Sequence, residues 1–183
     1  NIDDILHIII HCRGGDIESS DCILNILLTH KGQINIYVPY LAYSAGTMVA
    51  LCADQLYMNT YSLLSPVDPQ IAFDNNDDLT PAISYIKYTR HIGLSNLSID
   101  NTLKYYECKR LYDDNIRNLK RILSSKYSNK NLNLMIKELG RGYHPHGKQF
   151  NINELNEMGF NITIGIPKYI NNIFNCMINI QAD

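Results

Sequence analysis

The chain has 183 residues, which suits one globular domain with a sizeable core. Hydrophobic residues make up 45 % and charged residues 19 %, which excludes a disordered chain, and the formal net charge of −2 disfavours a globally basic nucleic-acid binder. No apolar run approaches the roughly 18–20 residues of a membrane span. Because the chain starts at Asn1 rather than at Met, we interpret it as a fragment that a targeting or anchoring segment could have preceded.

Strands and helices are predicted to alternate at the start of the chain. Leu6–Ile10, Ile34–Val38 and Gln55–Met58 are short apolar runs typical of buried strands. Asp16 is a suitable N-cap for a first helix, and a second helix is predicted to begin near Ser44 and to continue to about residue 53. Strands and helices that alternate with short connections indicate an α/β fold with a parallel sheet.

The rest of the chain is predicted to be mainly helical. No Gly or Pro occurs between Gly93 and Gly140, which favours long helices. We see no internal repeat and no linker, and we predict a single domain over residues 1–183. The predicted elements are a helix with N-cap Thr80 and first residue Pro81, a long helix from about Ser98, a helix from about Asn129, a helix over 153–158, a strand over 160–164 and a helix over 168–177.

Apolar stripes at helical spacing predict the buried faces of two helices. The first helix has one such stripe, and the long helix has a stripe that pauses and then resumes. The stripe residues are Ile23, Ile26, Leu27 and His30 in the first helix, and Ile99, Leu103, Tyr106, Tyr112, Ile116, Leu119 and Leu123 in the long helix.

Cysteine and histidine spacing indicates neither disulfides nor a metal site. The five cysteines include no CxxC pair, so we predict buried free thiols in a reducing compartment. His144 and His146 flank Pro145, but two ligands without a third are a weak metal signal. We therefore predict a protein that uses neither a metal nor another cofactor. The cysteines are Cys12, Cys22, Cys52, Cys108 and Cys176.

Two segments lie where a predicted strand meets a predicted helix. Gly14 and Gly15 form a turn that can present backbone N–H groups to an oxyanion, although a simple tight turn has the same pattern. Ser44 lies before Ala45 and other small residues, as a nucleophile does at a strand-to-helix turn. An ordinary N-cap serine is the alternative interpretation of Ser44.

A third segment, Ser65-Pro66-Val67-Asp68-Pro69-Gln70, follows the third predicted strand. The two prolines around Asp68 are typical of a rigid turn in which the carboxylate accepts hydrogen bonds from neighbouring N–H groups. Taken by itself, this segment predicts no reaction.

In order along the chain, these motifs resemble the serine dehydrogenase proteinase family. That family is similar to signal peptide peptidase A and belongs to the Clp protease/crotonase superfold. The resemblance implies a ClpP/crotonase-like α/β fold of ββα units with a parallel sheet and a helical C-terminal half. Its motifs here are His-x-x-Gly-Gly from His11, Val-Pro-x-x-Ala-x-Ser-Ala-Gly-Thr-Met from Val38, Ala-Asp-x-x-x-Met from Ala53 and Pro-Val-Asp-Pro-Gln from Pro66, with looser similarity at 81–84, 144–146 and 153–160.

The resemblance also implies roles for individual residues. Ser44 takes the nucleophile's position, and Gly14, Gly15 and the Ala45 N–H take the oxyanion-hole positions. The chain departs from the family pattern at two places. Cys12-Arg13 stands where the family usually has Thr-Pro, and Ser65 stands where the family prefers Gly.

The general base is the open question of this assignment. Relatives of the signal peptide peptidase A type use a lysine, and Lys87 is the candidate here, with a solvated surface lysine as the alternative. His91 lies one turn further on the same predicted helix and is a second candidate. Asp68 and Gln70 are predicted to be structural or orienting residues.

The function that follows is an ATP-independent serine endopeptidase that works through an acyl-enzyme. The resemblance implies a peptide or membrane-protein substrate, a homo-oligomer and membrane association through an anchor outside this sequence. Two alternatives stay open: an inactive scaffold or partner-binding protein of the same fold and, less favoured, a crotonase-type acyl-CoA enzyme. The sequence has no Walker-type glycine loop.

A local charge excess lies in the predicted helical stretch 94–139. It contains nine Lys or Arg and five Asp or Glu residues. A solvated helix face is the favoured interpretation, an oligomer contact is an alternative, and we predict no nucleic-acid partner because the chain as a whole is acidic.

Overall fold

A computed structural model of the chain describes residues 3–73 and 76–180. These residues divide into unit 1, Asn1–Ser65 with Gln149–Asp183, and unit 2, 66–148. The single-domain interpretation stays a prediction.

The elements in chain order are β1 (Leu6–Ile9), α1 (Ile17–Thr29), β2 (Ile34–Val38), β3 (Leu41–Ala42), α2 (Ala45–Ala50), β4 (Gln55–Met58), β5 (Leu63–Leu64), β6 (Gln70–Phe73), β7 (Asn76–Pro81), α3 (Ala82–Ile92), a 3-10 helix (Leu94–Asn96), α4 (Ile99–Leu123), α5 (Asn129–Gly140), α6 (Ile152–Glu157), β8 (Ile162–Ile164) and α7 (Lys168–Ile180).

The centre of unit 1 is a parallel sheet with strand order β1-β2-β4-β8. β2 lies inside this sheet, and all five of its residues are buried. A strand covered on both faces needs a nearly continuous apolar run, which is what Ile34-Asn35-Ile36-Tyr37-Val38 supplies. The predicted α/β fold with a parallel sheet is confirmed.

The first helix of unit 1 begins as predicted but buries a different face. Asp16 accepts a hydrogen bond from the Ser19 N–H at 2.8 Å and is the N-cap of α1. Leu24 and Leu27 are the buried residues of α1, whereas Ile26 is 68 % exposed. The predicted stripe is confirmed at Leu27 and wrong at Ile23 and Ile26, which are exposed.

Unit 2 is held together by α3, α4 and α5. The second half of α4 packs on α5 so closely that a Cβ on Gly140 would lie 2.4 Å from Leu119 Cδ1. Each side chain buried in such a core contributes roughly 1.5–3 kcal/mol by leaving water. In α5 and in the second half of α4, the side chains that are at most 1 % exposed are Leu119, Ile122, Leu123, Met135, Ile136 and Leu139.

The first half of α4 corrects the second predicted stripe. Ile99 is 79 % exposed and Leu103 is 62 % exposed, and Tyr106 is also exposed. The helix turns Tyr105 and Cys108 toward α3 instead, where they join the buried cluster around Ile71, Ala82, Ile83 and Ile86. In this half of α4, the side of the helix that packs on α3 is buried, and the predicted apolar stripe lies on another side.

The start of α3 and the hairpin before it also differ from prediction. β6 and β7 form an antiparallel pair that the sequence did not indicate. Pro81 is the N-cap of α3 rather than its first residue, and its backbone φ of −56° suits either position. Thr80 pairs with Ile71 inside the hairpin and is therefore not the cap.

Two further helix starts agree with the sequence. Ser98 and Ser128 cap α4 and α5 by accepting hydrogen bonds from the N–H groups of Asn101 and Asn131. Among the described residues, none of the helices combines the length and the apolar character that a bilayer crossing requires.

Candidate active site

Ser44 lies at the turn between β3 and α2 and has an unusual backbone conformation. Its φ is +51° and its ψ is −117°, and it is the residue other than glycine with a positive φ in the described part of the chain. Such a conformation costs of the order of 1–3 kcal/mol and is concentrated at functional sites. A sharp, strained strand-to-helix turn is the geometry that exposes a nucleophilic serine.

Three hydrogen bonds hold this turn. The Ser44 N–H donates to Ser65 Oγ at 2.7 Å, the Ser65 N–H donates to Thr47 Oγ1 at 3.1 Å, and Thr47 Oγ1 donates to the Ala42 carbonyl at 2.6 Å. Thr47 is 0 % exposed and Ser65 is 3 % exposed, so water does not compete for these bonds. The hydroxyl of Ser65, where the family prefers Gly, therefore stabilises the strained turn.

The side chain of Ser44 does not act as a helix cap. It makes no capping hydrogen bond to α2, and within the described residues Ser44 Oγ has no hydrogen-bond partner. The residue is half-buried. The ordinary N-cap interpretation therefore does not describe Ser44, whose hydroxyl is available for chemistry.

The glycine turn after β1 lies directly against Ser44. Gly14 has φ +121°, and a Cβ added to it would lie 3.1 Å from Ser44 Cβ and 3.7 Å from Ser44 Oγ. Cys12 joins the two turns, because its carbonyl accepts from the Tyr43 N–H at 2.8 Å and its Cβ would lie 3.1 Å from a Cβ on Gly46. Glycine is required at position 14 both for its backbone conformation and for this close approach.

The backbone amides of the two turns differ in how they are used. The Gly14 N–H donates to Cys12 Sγ at 3.3 Å. In the part of the chain that the structure describes, neither the Gly15 N–H nor the Ala45 N–H donates a hydrogen bond. Ala45 is the first residue of α2, where N–H groups have no partner within the helix. Gly15 and Ala45, which follow Gly14 and Ser44 in sequence, thus provide two free donors at the two turns.

In unit 2, Asp68 and His146 form a hydrogen-bonded pair. Asp68 is 1 % exposed, its Oδ1 lies 3.0 Å from His146 Nδ1, and its Oδ2 accepts from Gln70 Nε2 at 2.9 Å. Because a carboxylate accepts hydrogen bonds, Nδ1 is the donor to Asp68 in the neutral tautomer that fits this contact, and Nε2 is then the ring nitrogen with the lone pair. The His146 side chain is 30 % exposed. The sequence analysis considered His146 as a weak metal ligand and as part of a looser family similarity, and it did not predict a catalytic role for it.

The neighbouring histidine has a different partner. His144 Nε2 lies 2.5 Å from Glu138 Oε2. Burial raises the pKa of Glu138, and hydrogen bonds from His144 and Lys137 lower it by more, so the pKa lies below its ordinary value. Within the described residues, no group of three or more His, Cys, Asp or Glu side chains is placed to hold a metal.

Lys87 and His91, the two predicted bases, lie with Ser84 on an exposed face of α3. Neither the Lys87 side chain nor the His91 side chain makes a hydrogen bond with another described residue. Both side chains are exposed. Both residues belong to unit 2, as do Asp68, Gln70 and His146, whereas Ser44, Gly14, Gly15 and Ala45 belong to unit 1.

All five cysteines are free thiols, but they are not all buried. Cys52 and Cys108 are buried, whereas Cys22 and Cys176 are exposed, which corrects the prediction for the latter two. Burial raises the pKa of Cys108 to about 11.

Comparison with known proteins places this geometry in a family. The model of the ClpP-like SDH-type serine proteinases matches residues 2–179. The chain belongs to this family. Two uncharacterised proteins of Methanocaldococcus jannaschii are 27 % and 26 % identical to the chain and align with 92 % and 90 % of it. The chain spans 57 % and 54 % of the lengths of these curated relatives.

A solved structure supports the fold. The 1510-N membrane-bound stomatin-specific protease, solved as a point mutant, superimposes with a TM-score of 0.60 over 90 % of this chain and 66 % of its own. Sequence identity is 14 %, so this similarity concerns the fold. The ClpP-like α/β architecture expected from the sequence is confirmed, and the family is one of serine proteinases.

Proposed function

We propose that the chain is an ATP-independent serine endopeptidase in which Ser44 is the nucleophile. The observation that carries this proposal is the strained backbone of Ser44, which is maintained although its side chain caps nothing. A protein that needed only a helix start at this point would relax the turn and gain a capping bond worth about 1 kcal/mol. Membership in a serine proteinase family supports the same assignment.

The proposed reaction is acyl transfer. Ser44 Oγ attacks the carbonyl carbon of a peptide bond, and the carbonyl oxygen becomes an oxyanion that accepts hydrogen bonds from Gly15 and Ala45. Gly14 contributes its close approach to Ser44 rather than its N–H, which Cys12 already occupies. The tetrahedral intermediate then expels the amine, and water releases the acyl group from Ser44 in a second, equivalent cycle.

We propose His146 as the general base, oriented by Asp68. A base in this role takes the proton of the nucleophile's hydroxyl and returns it to the leaving amine. The buried carboxylate of Asp68 supports this role, because it sets the tautomer and favours the imidazolium that forms during the reaction. Lys87 and His91 are the competing candidates, and each lacks an orienting partner among the described residues.

The partners stay part of the proposal. A peptide or membrane-protein substrate, a homo-oligomer and membrane association follow from the family resemblance. One structural neighbour is described as a membrane-bound, stomatin-specific protease, which is consistent with that reading. No nucleotide or metal is required by the proposed steps.

A fluorophosphonate probe tests the nucleophile, because it forms a covalent bond only with an activated serine. We expect an adduct at Ser44, located by peptide mass spectrometry, and none in Ser44→Ala. Ser62→Ala is a matched control, since Ser62 is buried and its hydroxyl donates to the Val38 carbonyl at 2.6 Å. A folded chain without any adduct at Ser44 would instead favour the inactive scaffold, and tight binding of coenzyme A would favour the crotonase-type enzyme.

A further inference from the structure

A cavity in unit 2 collects part of the positive charge of the helical stretch. It has a volume of about 420 Å³ and is formed by one face of α4 together with the residue that follows α5. This size lies in the range of ligand sites in proteins. The cavity is lined by Tyr112, Asp113, Ile116, Arg117, Lys120 and Arg141.

The cavity is positively charged although the chain is acidic. Arg117, Lys120 and Arg141 face a single carboxylate, Asp113, whereas the formal net charge of the chain is −2. Like charges around a concave surface raise its potential and attract anions. Arg117 and Lys120 of the helical stretch thus meet Arg141, which lies beyond that stretch, at one cavity.

Part of this charge lacks a counter-charge among the residues that the structure describes. Asp113 is held by Lys109 Nζ at 2.5 Å, one helical turn before it. Arg117 uses one nitrogen on Asp114 at 2.6 Å and keeps its other donors. Lys120 and Arg141 make no ion pair with any described residue.

Two of the residues that line the cavity, Tyr112 and Ile116, contribute apolar groups. Tyr112 and Ile116 are half-buried and lie one turn apart on α4. Burial raises the pKa of Tyr112, so its hydroxyl stays protonated at neutral pH and can donate a hydrogen bond to an anion. A ligand that matches this lining has both carboxylates and apolar groups.

We propose that this cavity binds an acidic peptide segment. Its carboxylates bind Lys120 and Arg141, and an adjacent apolar side chain packs on Tyr112 and Ile116. Contact with Tyr112 and Ile116 distinguishes such a peptide from an inorganic anion, which has no apolar group to pack on them. In the context of the proposed peptidase, on which this step rests, the acidic segment belongs to a substrate and the cavity selects it.

Binding is measured by fluorescence anisotropy with the full chain carrying Ser44→Ala, so that no peptide is cleaved. The probes are a dye-labelled Leu-Glu-Tyr-Glu-Leu-Glu peptide and its Leu-Gln-Tyr-Gln-Leu-Gln counterpart. We expect the acidic peptide to bind and its affinity to fall when salt is raised, because salt screens exposed charges. Equal binding of the neutral peptide would overturn the proposal.

Neutralising variants locate the site. Lys120→Gln and Arg141→Gln should each weaken binding of the acidic peptide about threefold to fivefold, and the double variant about tenfold or more, as expected for exposed charge pairs. Lys130→Gln is the matched control, because Lys130 is an exposed cation of α5 outside the cavity. Equal weakening by Lys130→Gln would mean general attraction only and would overturn the proposal.

Inorganic phosphate separates a peptide site from a small-anion site. At matched ionic strength, phosphate should displace the acidic peptide no better than sodium chloride does. Specific displacement by phosphate would overturn the assignment to peptides. Since all binding is measured without catalysis, a failure of Ser44 to react with the phosphonate probe leaves this result unaffected, and loss of peptide binding leaves the assignment of Ser44 unaffected.

Discussion

The turn at Ser44 and the α3 face at Lys87 differ in how strongly their surroundings determine them. Three linked hydrogen bonds and the close approach of Gly14 hold Ser44 in a conformation it would not adopt alone. The side chains of Lys87 and His91 are exposed and make no hydrogen bond with another described residue. A residue that its neighbours keep in a costly conformation is a stronger functional candidate than one that solvent leaves free.

The same distinction applies among the ionisable residues of unit 2. Asp68 is buried and bonds both His146 and Gln70, so its position and that of the imidazole are set by the fold. Lys87, by contrast, is exposed, and its side chain has no such partners among the described residues. The comparison predicts that variants at contact-determined residues have large effects and that matched variants at exposed residues have small ones.

The largest expected difference is between two neighbouring histidines. His146→Gln should lower the rate of Ser44 labelling by about 10²–10⁴-fold, because it removes the proposed base. His144→Gln should leave the rate within about threefold, since His144 pairs with Glu138 instead. The measurement is the rate of adduct formation at Ser44 against pH, by mass spectrometry.

Two more variants of α3 complete this test. Lys87→Met and His91→Gln should retain labelling at Ser44, because both side chains are exposed. Loss of labelling in Lys87→Met with retention in His146→Gln would assign the base to the lysine and reverse our proposal.

Two leucines of α4, one buried and one exposed, give the next largest difference, which is a difference in the free energy of unfolding. Leu123 is 0 % exposed, and Leu123→Ala should lower the free energy of unfolding by about 2–5 kcal/mol. Leu103 is 62 % exposed, and the same change there should cost less than about 0.5 kcal/mol. Urea unfolding followed by circular dichroism measures both. A large cost at Leu103 would mean that an oligomer contact covers this face.

These faces show where sequence reasoning succeeds and where it fails. The strands of the parallel sheet follow from short apolar runs, because a strand buried on both faces has no other composition. Helix starts at Asp16, Ser98 and Ser128 follow from capping, which is a local interaction. The stripe in the second half of α4 correctly predicts that Leu119 and Leu123 are buried. The buried face of the first half does not follow, because an apolar stripe does not say which neighbour the helix meets.

The candidate site was predictable to a similar extent. Ser44 and the glycine pair lie in motifs that are contiguous in sequence, so spacing and resemblance identify them. The pairing of Asp68 with His146 joins residues 78 positions apart, which no local pattern encodes. The sequence does contain Asp68 between two prolines and, much later, the segment His144-Pro145-His146. These two segments indicate a pair only once the fold has brought Asp68 and His146 together.

The adjacent glycines Gly14 and Gly15 provide a smaller difference in the free energy of unfolding. Gly14→Ala should cost about 1–3 kcal/mol of unfolding free energy and most of the Ser44 labelling rate, since its φ is +121° and its new Cβ would lie 3.1 Å from Ser44 Cβ. Gly15→Ala should be nearly neutral for stability, because a Cβ there meets nothing within 4 Å. Thermal unfolding together with probe labelling measures both effects. Equal destabilisation by the two variants would contradict the close approach of Gly14 to Ser44.

The smallest expected effect concerns the pH dependence of stability at Cys108. Burial raises its pKa from the ordinary value of 9.0 to about 11, so the folded state disfavours the thiolate. This contribution to stability is fully present below pH 9 and is lost as the pH rises toward 11, because the Cys108 thiol of the unfolded chain releases its proton first. The free energy of unfolding then falls by no more than about 1.4 kcal/mol per pH unit. Urea unfolding at pH 8, 9 and 10 should therefore show a steeper decline in wild type than in Cys108→Ala. The exposed Cys22 is the matched comparison, and Cys22→Ala should leave the slope unchanged. Equal slopes in wild type and Cys108→Ala would mean that the Cys108 thiol ionises as readily in the folded chain as in the unfolded one.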